Sequence, residues 1–276
     1  MTSAASEESA PFAANAQSLL LTFFGMHLLG RPVAVSGSSL VDVFTRLGIG
    51  GSATRSLLAR MTDRGIIERH KIGRKTYYAL TPHGTDVLAE GSRKVWRGGD
   101  RPAWDGTWTS ISASVPEAFR PVRHRLRARL SWAGFGLTRS GLWVAPGRHD
   151  VPALLGNDID HVDITVVVGA VAPPTTDEML VRDGYDLSGT AALYEDFSAF
   201  WSEASTARPF SGALVTRIRL QAHWLAISRT DPLLPDSLLP RNWPARSAEE
   251  LFRRLDTALA AAHGDDDVHI EMIDLV

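Results

Sequence analysis

Apolar residues recur at helical spacing in three segments near the start of the chain. The segments span residues 16–29, 40–47 and 54–61, and within each the apolar positions fall three or four residues apart. A Gly-rich stretch at residues 48–51 separates the second segment from the third, and Ser52 is expected to cap the helix that follows. The pattern therefore predicts three consecutive helices, of which the last two are joined by a short turn.

Beyond the third helix, the apolar period changes from helical spacing to the alternation of strands. Residues 66–71 and 75–80 are rich in β-branched and aromatic side chains, and a tight turn around Gly73 joins them. A Thr-Pro pair at residues 81–82 then begins a further helix. Helices followed by a two-stranded hairpin have the order of a winged helix-turn-helix, which we assign to residues 16–98.

The middle of the chain, residues 104–172, has the element order of a ferredoxin-like unit. A strand at 108–115 precedes a helix at 117–132, and a hairpin and a short helix follow. The last element is an apolar strand at 162–171, which we expect to be buried. The order β-α-β-β-α-β is that of a split βαβ motif.

The remainder of the chain, residues 175–276, carries helical apolar stripes and is predicted to form a mainly helical domain. Residues 1–15 are rich in Ser, Ala and Glu and are predicted to be a disordered leader. The expected fold class is therefore α+β, with an N-terminal winged helix-turn-helix, a central ferredoxin-like domain and a C-terminal helical domain.

Charge is distributed unevenly along the chain. Residues 1–98 contain 12 Lys and Arg against 7 Asp and Glu, whereas the whole chain has 29 against 31. A basic N-terminal part followed by an acidic C-terminal part indicates that only the N-terminal part contacts a polyanion.

The composition excludes several other kinds of protein. There is no cysteine, which rules out a disulfide framework and thiolate metal sites and fits a reducing cytoplasm. No apolar run is long enough to cross a membrane. We expect a cytoplasmic protein that carries no cofactor and no metal.

The third helix and the hairpin have the residue types that duplex DNA requires. If Leu57, Leu58 and Met61 point inward, the polar residues between them point outward, and Arg55 is the best candidate for a bidentate contact to guanine. Cations of the hairpin, with Ser52 at the helix start, are expected to contact phosphates. The predicted DNA-binding residues are Ser52, Arg55, Ser56, Arg60, Arg69, Lys71, Arg74 and Lys75.

Several segments, taken in order, resemble the PaaX family of transcriptional repressors. Those of the first part are SLLLTFFG (18–25), GSSL (37–40), ATRSLLARM (53–61), RGII (64–67) and GRKTYYALT (73–81). Those of the middle and last parts are WDGTW (104–108), PE (116–117), RHRLRARL (123–130), GLWVAP (141–146), DP (231–232), LLP (238–240), WP (243–244) and LF (251–252).

This resemblance implies both an architecture and an effector. The middle unit would be a Cas2-like ferredoxin fold that serves dimerisation, and the C-terminal part would close an effector site. The implied effector class is an aryl-acyl-CoA thioester such as phenylacetyl-CoA. Such a ligand requires cations for its phosphates and an apolar slot for its acyl group. The candidate effector-binding residues are Arg123, Arg127, Trp201, His223, Trp224 and Arg229.

The function expected from the sequence is that of a homodimeric repressor of aromatic-compound catabolism genes. It would bind operator DNA specifically and release it when the effector binds. Two alternatives stay open at this point. One is an enzyme that acts on acyl-CoA, which is disfavoured because no nucleophile-base pair is recognisable, and the other is a winged-helix scaffold that binds only protein.

Overall fold

A computed structural model describes residues 14–96, 103–204, 212–262 and 269–275. The predicted disordered leader lies outside the described residues up to position 13. The chain divides into two compact units, each assembled from separate stretches of sequence. The first unit comprises Met1–Trp96, Phe197–Ala226 and Glu250–Val276, and the second comprises Arg97–Asp196 and Ile227–Glu249.

The first unit begins with the predicted winged helix-turn-helix. Its helices and strands follow one another as α1 (Ala16–His27), β1 (Val33–Ser36), α2 (Gly37–Arg46), α3 (Gly51–Asp63), β2 (Ile67–Ile72), β3 (Lys75–Leu80) and α4 (Pro82–Trp96). Phe23, Phe24 and Phe44 are fully buried in one core with Leu57 and Leu58 of α3. The predicted order of helices and hairpin is confirmed.

A fourth strand from the far end of the chain completes the sheet of the first unit. The strand β8 (Met272–Asp274) pairs antiparallel with β1, which gives the strand order β2-β3-β1-β8. The prediction had assigned residues 175–276 to one C-terminal helical domain. A strand of three residues is too short for its alternation to be recognised in the sequence. It forms here because the edge of β1 that does not face β3 can pair with a further strand.

Three long helices make up most of the C-terminal part: α8 (Leu187–Ala204), α9 (Ala213–Thr230) and α10 (Ala245–Ala262). The division into units runs through each of them. In α9, the buried residues Leu214, Val215 and Ile218 pack into the winged-helix core. Each compact unit combines residues of the C-terminal part with one of the other two predicted domains, because a helical stripe in the sequence reveals that a face is buried but not against which partner. The division into three domains stays a prediction.

The second unit contains the predicted ferredoxin-like motif. Its elements are β4 (Trp108–Ser114), α5 (Arg120–Trp132), β5 (Gly136–Leu137), β6 (Trp143–Pro146), α6 (Val151–Leu155), β7 (Asp163–Gly169) and α7 (Asp177–Gly184). The strands are all antiparallel and lie in the order β5-β6-β4-β7. This order is that of a split βαβ sheet, so the prediction is confirmed.

One expectation for this sheet was wrong. The strand β7 was expected to be buried, yet it is the edge strand, and Val166, Val167 and Val168 are 41%, 60% and 38% exposed. The apolar run Val-Val-Val has the sequence pattern of a strand that is covered on both faces. Among the residues that the structure describes, however, β7 pairs only with β4.

Candidate nucleic-acid interface

The helix α3 separates its apolar and polar residues onto two sides. Thr54, Leu57, Leu58 and Met61 are buried, as their spacing predicted. The four residues predicted to face outward are all exposed, and they are Ser52, Arg55, Ser56 and Arg60. One side of α3 therefore presents two guanidinium groups and two hydroxyls to solvent.

The start of α3 differs from the prediction in one detail. Gly50 is the N-cap residue and Ser52 lies one position inside the first turn, so the expected capping role of Ser52 is wrong. No side chain among the described residues caps this helix. The amide groups of the first turn therefore keep their capacity to donate to an anion, and the helix dipole favours negative charge at the same place.

At Gly51 the start of α3 packs closely against α2. A Cβ atom on Gly51 would lie 3.2 Å from Cγ1 of Val41 on α2 and 3.6 Å from Nη1 of Arg55. The absence of a side chain thus lets the start of α3 approach α2. It also shows that the guanidinium of Arg55 lies beside the first turn, at the end of α3 whose amide groups are available to an anion.

The hairpin of β2 and β3 forms the wing. Gly73 has a φ of +60° in the two-residue turn, a conformation that L side chains rarely adopt. The register sets Arg69 opposite Tyr78 and Lys71 opposite Thr76, so these two cations share one face of the sheet. Arg74 lies in the turn itself, and all three cations are exposed.

Lys75 differs from the other cations of the wing. It is opposite Ile72, on the face of the sheet turned away from Arg69 and Lys71. Its Nζ lies 2.6 Å from Oε1 of Glu271, a residue just before β8. The hydrogen bond and the charge of Lys75 hold the pKa of the Glu271 carboxyl below its usual range. Its positive charge is therefore already paired within the protein.

Three of the predicted effector residues belong to an aromatic cluster in the first unit. Trp201, His223 and Trp224 are 3%, 7% and 2% exposed. Trp201 donates from Nε1 to Nδ1 of His223 over 3.1 Å, and Trp224 stacks on Phe252 with ring centroids 4.8 Å apart. Their observed contacts are those of core packing.

The other three predicted effector residues lie in the second unit. Arg123 donates to the carbonyl of Val115 and to the carboxylate of Glu117, at 2.9 and 3.2 Å. Arg127 and Arg229 are exposed. The predicted set is thus divided between the two units, and its role in effector binding stays a prediction.

A groove in the second unit was not foreseen from the sequence. It has a volume of about 460 Å³ and lies between α7, the start of α8 and the segment 237–240. Its apolar lining is Val181, Tyr185, Leu187, Leu238, Leu239 and Pro240, and its polar lining is Glu178, Arg182, Ser188 and Ser237. The segment 237–240 overlaps LLP, one of the quoted motifs, but the motif alone gave no sign that it lines a groove.

Two further properties concern only the described ranges. Within them, no three His, Asp or Glu residues are grouped as metal ligands would be. Nor is any helix there long and apolar enough to span a membrane.

Comparison with known proteins connects these features to one family. Three family models match successive parts of the chain: PaaX-like protein over residues 15–84, PaaX protein central Cas2-like domain over 101–177, and PaaX-like protein C-terminal domain over 185–265. The Cas2-like match covers the ferredoxin-like sheet of the second unit.

One curated relative agrees with the family models over most of its length, and another matches a short part of the chain. The transcriptional repressor PaaX of Escherichia coli is 26% identical over 89% of this chain and 80% of its own length. A riboflavin kinase of Thermococcus kodakarensis is 32% identical over only 28% of this chain and 35% of its own length. The solved structure of the uncharacterized protein Rv0674 from Mycobacterium tuberculosis shares the fold, with a TM-score of 0.60 at 23% identity over 92% of this chain and 99% of that one. Together with the winged helix and the Cas2-like sheet, these matches establish that the chain belongs to the PaaX family.

Proposed function

We propose that this protein is a sequence-specific DNA-binding repressor of transcription. The observation that carries the proposal is the exposed side of α3, where Ser52, Arg55, Ser56 and Arg60 project from a helix whose other side is buried. A helix fits the major groove of B-DNA, in which each base pair presents its own pattern of donors and acceptors. The match to a named repressor over most of the chain supports the same function.

The contacts we propose follow from the chemistry of each group. Arg55 donates both arms of its guanidinium to O6 and N7 of a guanine. The hydroxyls of Ser52 and Ser56 and the amide groups of the first turn bind a phosphate at the helix start. The exposed cations Arg69, Lys71 and Arg74 contact phosphates beside the groove, which contributes affinity and salt dependence but no choice of sequence.

We also propose that the protein acts as a homodimer joined through β7. A sheet edge with free N–H and C=O groups and three exposed valines is a template for a further strand. A second copy related by a twofold axis presents the same edge in antiparallel orientation, so the two sheets continue into one. Dimeric repressors of this kind bind two half-sites about one turn of DNA apart.

The proposed effector is an aryl-acyl-CoA, with phenylacetyl-CoA as the first compound to test. The effector causes release of the DNA only if it binds the DNA-free form of the protein more tightly than the DNA-bound form. The groove of the second unit has the volume and apolar lining for an acyl group, and the exposed Arg229 is a cation suited to the CoA phosphates. Arg127 belongs to α5, which packs on the opposite face of the sheet from the groove, so it is not part of this proposed site. The regulated genes would then be those of aromatic-compound catabolism.

A gel-shift experiment with the DNA upstream of the protein's own gene tests this function. We expect a discrete complex that survives an excess of unrelated duplex and is lost when phenylacetyl-CoA is added. Acetyl-CoA is the matched control, because it has the same phosphates and no aryl group. Binding that unrelated duplex abolishes would overturn sequence-specific repression, and equal release by acetyl-CoA would overturn the aryl-acyl effector.

A further inference from the structure

The end of the chain is fixed to the winged helix by backbone and side-chain contacts. Besides the pairing of β8 with β1, the amide of Glu271 donates to Oγ of Ser39 over 3.0 Å. The carbonyl of Glu271 accepts from the amide of Ser36 over 2.9 Å, at the start of α2. Both the amide and the carbonyl of Glu271 are thus hydrogen-bonded, which fixes the backbone position from which its side chain extends.

The carboxylate of Glu271 contacts two residues of the wing strand β3. Its Oε1 atom is 2.6 Å from Nζ of Lys75 and accepts a hydrogen bond from the hydroxyl of Tyr77 over 2.8 Å. Tyr77 is buried in a small cluster with Ala34 and Ala79 on the same face of the sheet. The carboxylate is therefore oriented by a buried phenol, and it neutralises an ammonium that directly follows the wing turn.

We propose that Glu271 masks Lys75 and thereby limits the strength with which the wing binds DNA. The inference rests on the proposed DNA-binding function and concerns a residue some 196 positions away from its target along the chain. A cation that already has a carboxylate partner releases no condensed counterion when a phosphate approaches. If the ammonium transfers to a phosphate, the carboxylate left behind repels the same strand. In either case Lys75 adds nothing to the affinity while Glu271 is ionised.

If Glu271 masks Lys75, substitutions of the two residues should have non-additive effects on DNA affinity. The measurement is the binding of the full chain to a mixed-sequence duplex at several salt concentrations. Glu271→Gln keeps an oxygen for Tyr77 but removes the charge. Lys75 is exposed and directly follows Arg74 at the tip of the wing, so its long side chain can reach a phosphate from the other face of the sheet once it is freed. The freed Lys75 should then steepen the slope of log K against log salt by up to about 0.9 and tighten binding up to about eightfold near 0.1 M salt. Lys75→Ala alone should leave the slope unchanged, although the unpaired Glu271 carboxylate then repels the duplex and weakens binding slightly. Lys75→Ala added to Glu271→Gln should restore the wild-type slope.

Asp274→Asn is the matched control, because it removes one negative charge from the strand β8 at an exposed position opposite Val33. It should leave the salt slope unchanged. Thermal unfolding of each variant separates a loss of folding from a change in charge. A slope that Lys75→Ala alone flattens by about one, or that Glu271→Gln leaves unaltered, overturns the masking. A wild-type chain that binds no duplex overturns the proposed function as well, so the two failures are distinguishable.

Discussion

Nη2 of Arg219 donates to the carbonyl oxygen of Leu47 over 3.0 Å. Leu47 is the C-cap of α2, and Arg219 belongs to α9, so a residue of the C-terminal part satisfies a carbonyl at the end of the first helix of the helix-turn-helix. A cation at this place also interacts favourably with the negative end of the dipole of α2. Burial lowers the pKa of Arg219, which reflects the cost of holding its charge away from water.

Arg219→Ala should therefore destabilise the first unit. Removing a charged hydrogen-bond donor from a half-buried carbonyl costs about 1–2 kcal/mol, which urea unfolding followed by the fluorescence of the tryptophans would measure. Arg254→Ala is the control, because Arg254 is exposed on α10. Equal unfolding midpoints for the two variants would show that the contact with Leu47 contributes nothing to stability.

Two glycines of α4 should respond to alanine in opposite directions. A Cβ atom on Gly84 would lie 2.0 Å from the carbonyl oxygen of Ile66, so the backbone must move and Gly84→Ala should cost about 3 kcal/mol. At Gly91 no atom lies within 4 Å of the added Cβ, and Gly91→Ala should stabilise the helix by about 0.5–1 kcal/mol. Thermal unfolding of both variants is the measurement. A Gly84→Ala protein as stable as the wild type would refute the close packing of α4 on Ile66.

The proposed dimer depends on the apolar edge of β7. Val167 is the most exposed of its three valines, and Val167→Lys would set two like charges against each other across a twofold axis. Light scattering after size exclusion should then give the mass of a monomer. Val87→Lys provides the control, since Val87 is an exposed apolar residue in α4, outside the second unit, and its replacement should leave a dimer. A Val167→Lys protein that stays dimeric would move the interface to another surface.

Arg55 and Arg74 should have distinct effects on DNA binding, because one is proposed to contact a base and the other a phosphate. Arg55→Ala should cost about 1–3 kcal/mol with the operator and little with a mixed-sequence duplex. Arg74→Ala should weaken both duplexes alike and reduce the salt slope by about one. Fluorescence anisotropy titrations with the two duplexes separate these outcomes. If Arg55→Ala weakened both duplexes equally, its role would be that of a phosphate contact.

Periodicity in the sequence was enough to predict the winged helix and the ferredoxin-like order, because most of their elements have an apolar period of their own. It predicted the exposed side of α3 for the same reason, since buried Leu57, Leu58 and Met61 determine where Arg55 points. Periodicity did not reveal which elements pack against one another. The strand β8, the contact from Arg219 to Leu47 and the pairing of Lys75 with Glu271 all join residues more than 170 positions apart, and local pattern carries no information on such pairs.

The Val-Val-Val run of β7 shows a different limit. The sequence correctly indicated an apolar strand, but burial depends on what covers the strand, and within one copy of this chain the valines are exposed. The same limit applies to Trp201, His223 and Trp224. Their residue types suited an effector slot equally well, and only the folded structure reveals that they pack against one another and against Phe252.

Entry of α3 into the major groove can be tested with a cleavage reagent attached to this helix. Because the chain has no cysteine, Ser56→Cys supplies a single thiol on the exposed side of α3, to which iron-EDTA can be tethered. Asp86→Cys, at an exposed position of α4, is the matched control. We predict cleavage at a few nucleotides within each operator half-site from the Ser56 position, at a rate well above that from Asp86. Absence of cleavage from a Ser56→Cys protein that still binds the operator, or equal cleavage from both positions, would show that α3 does not enter the groove.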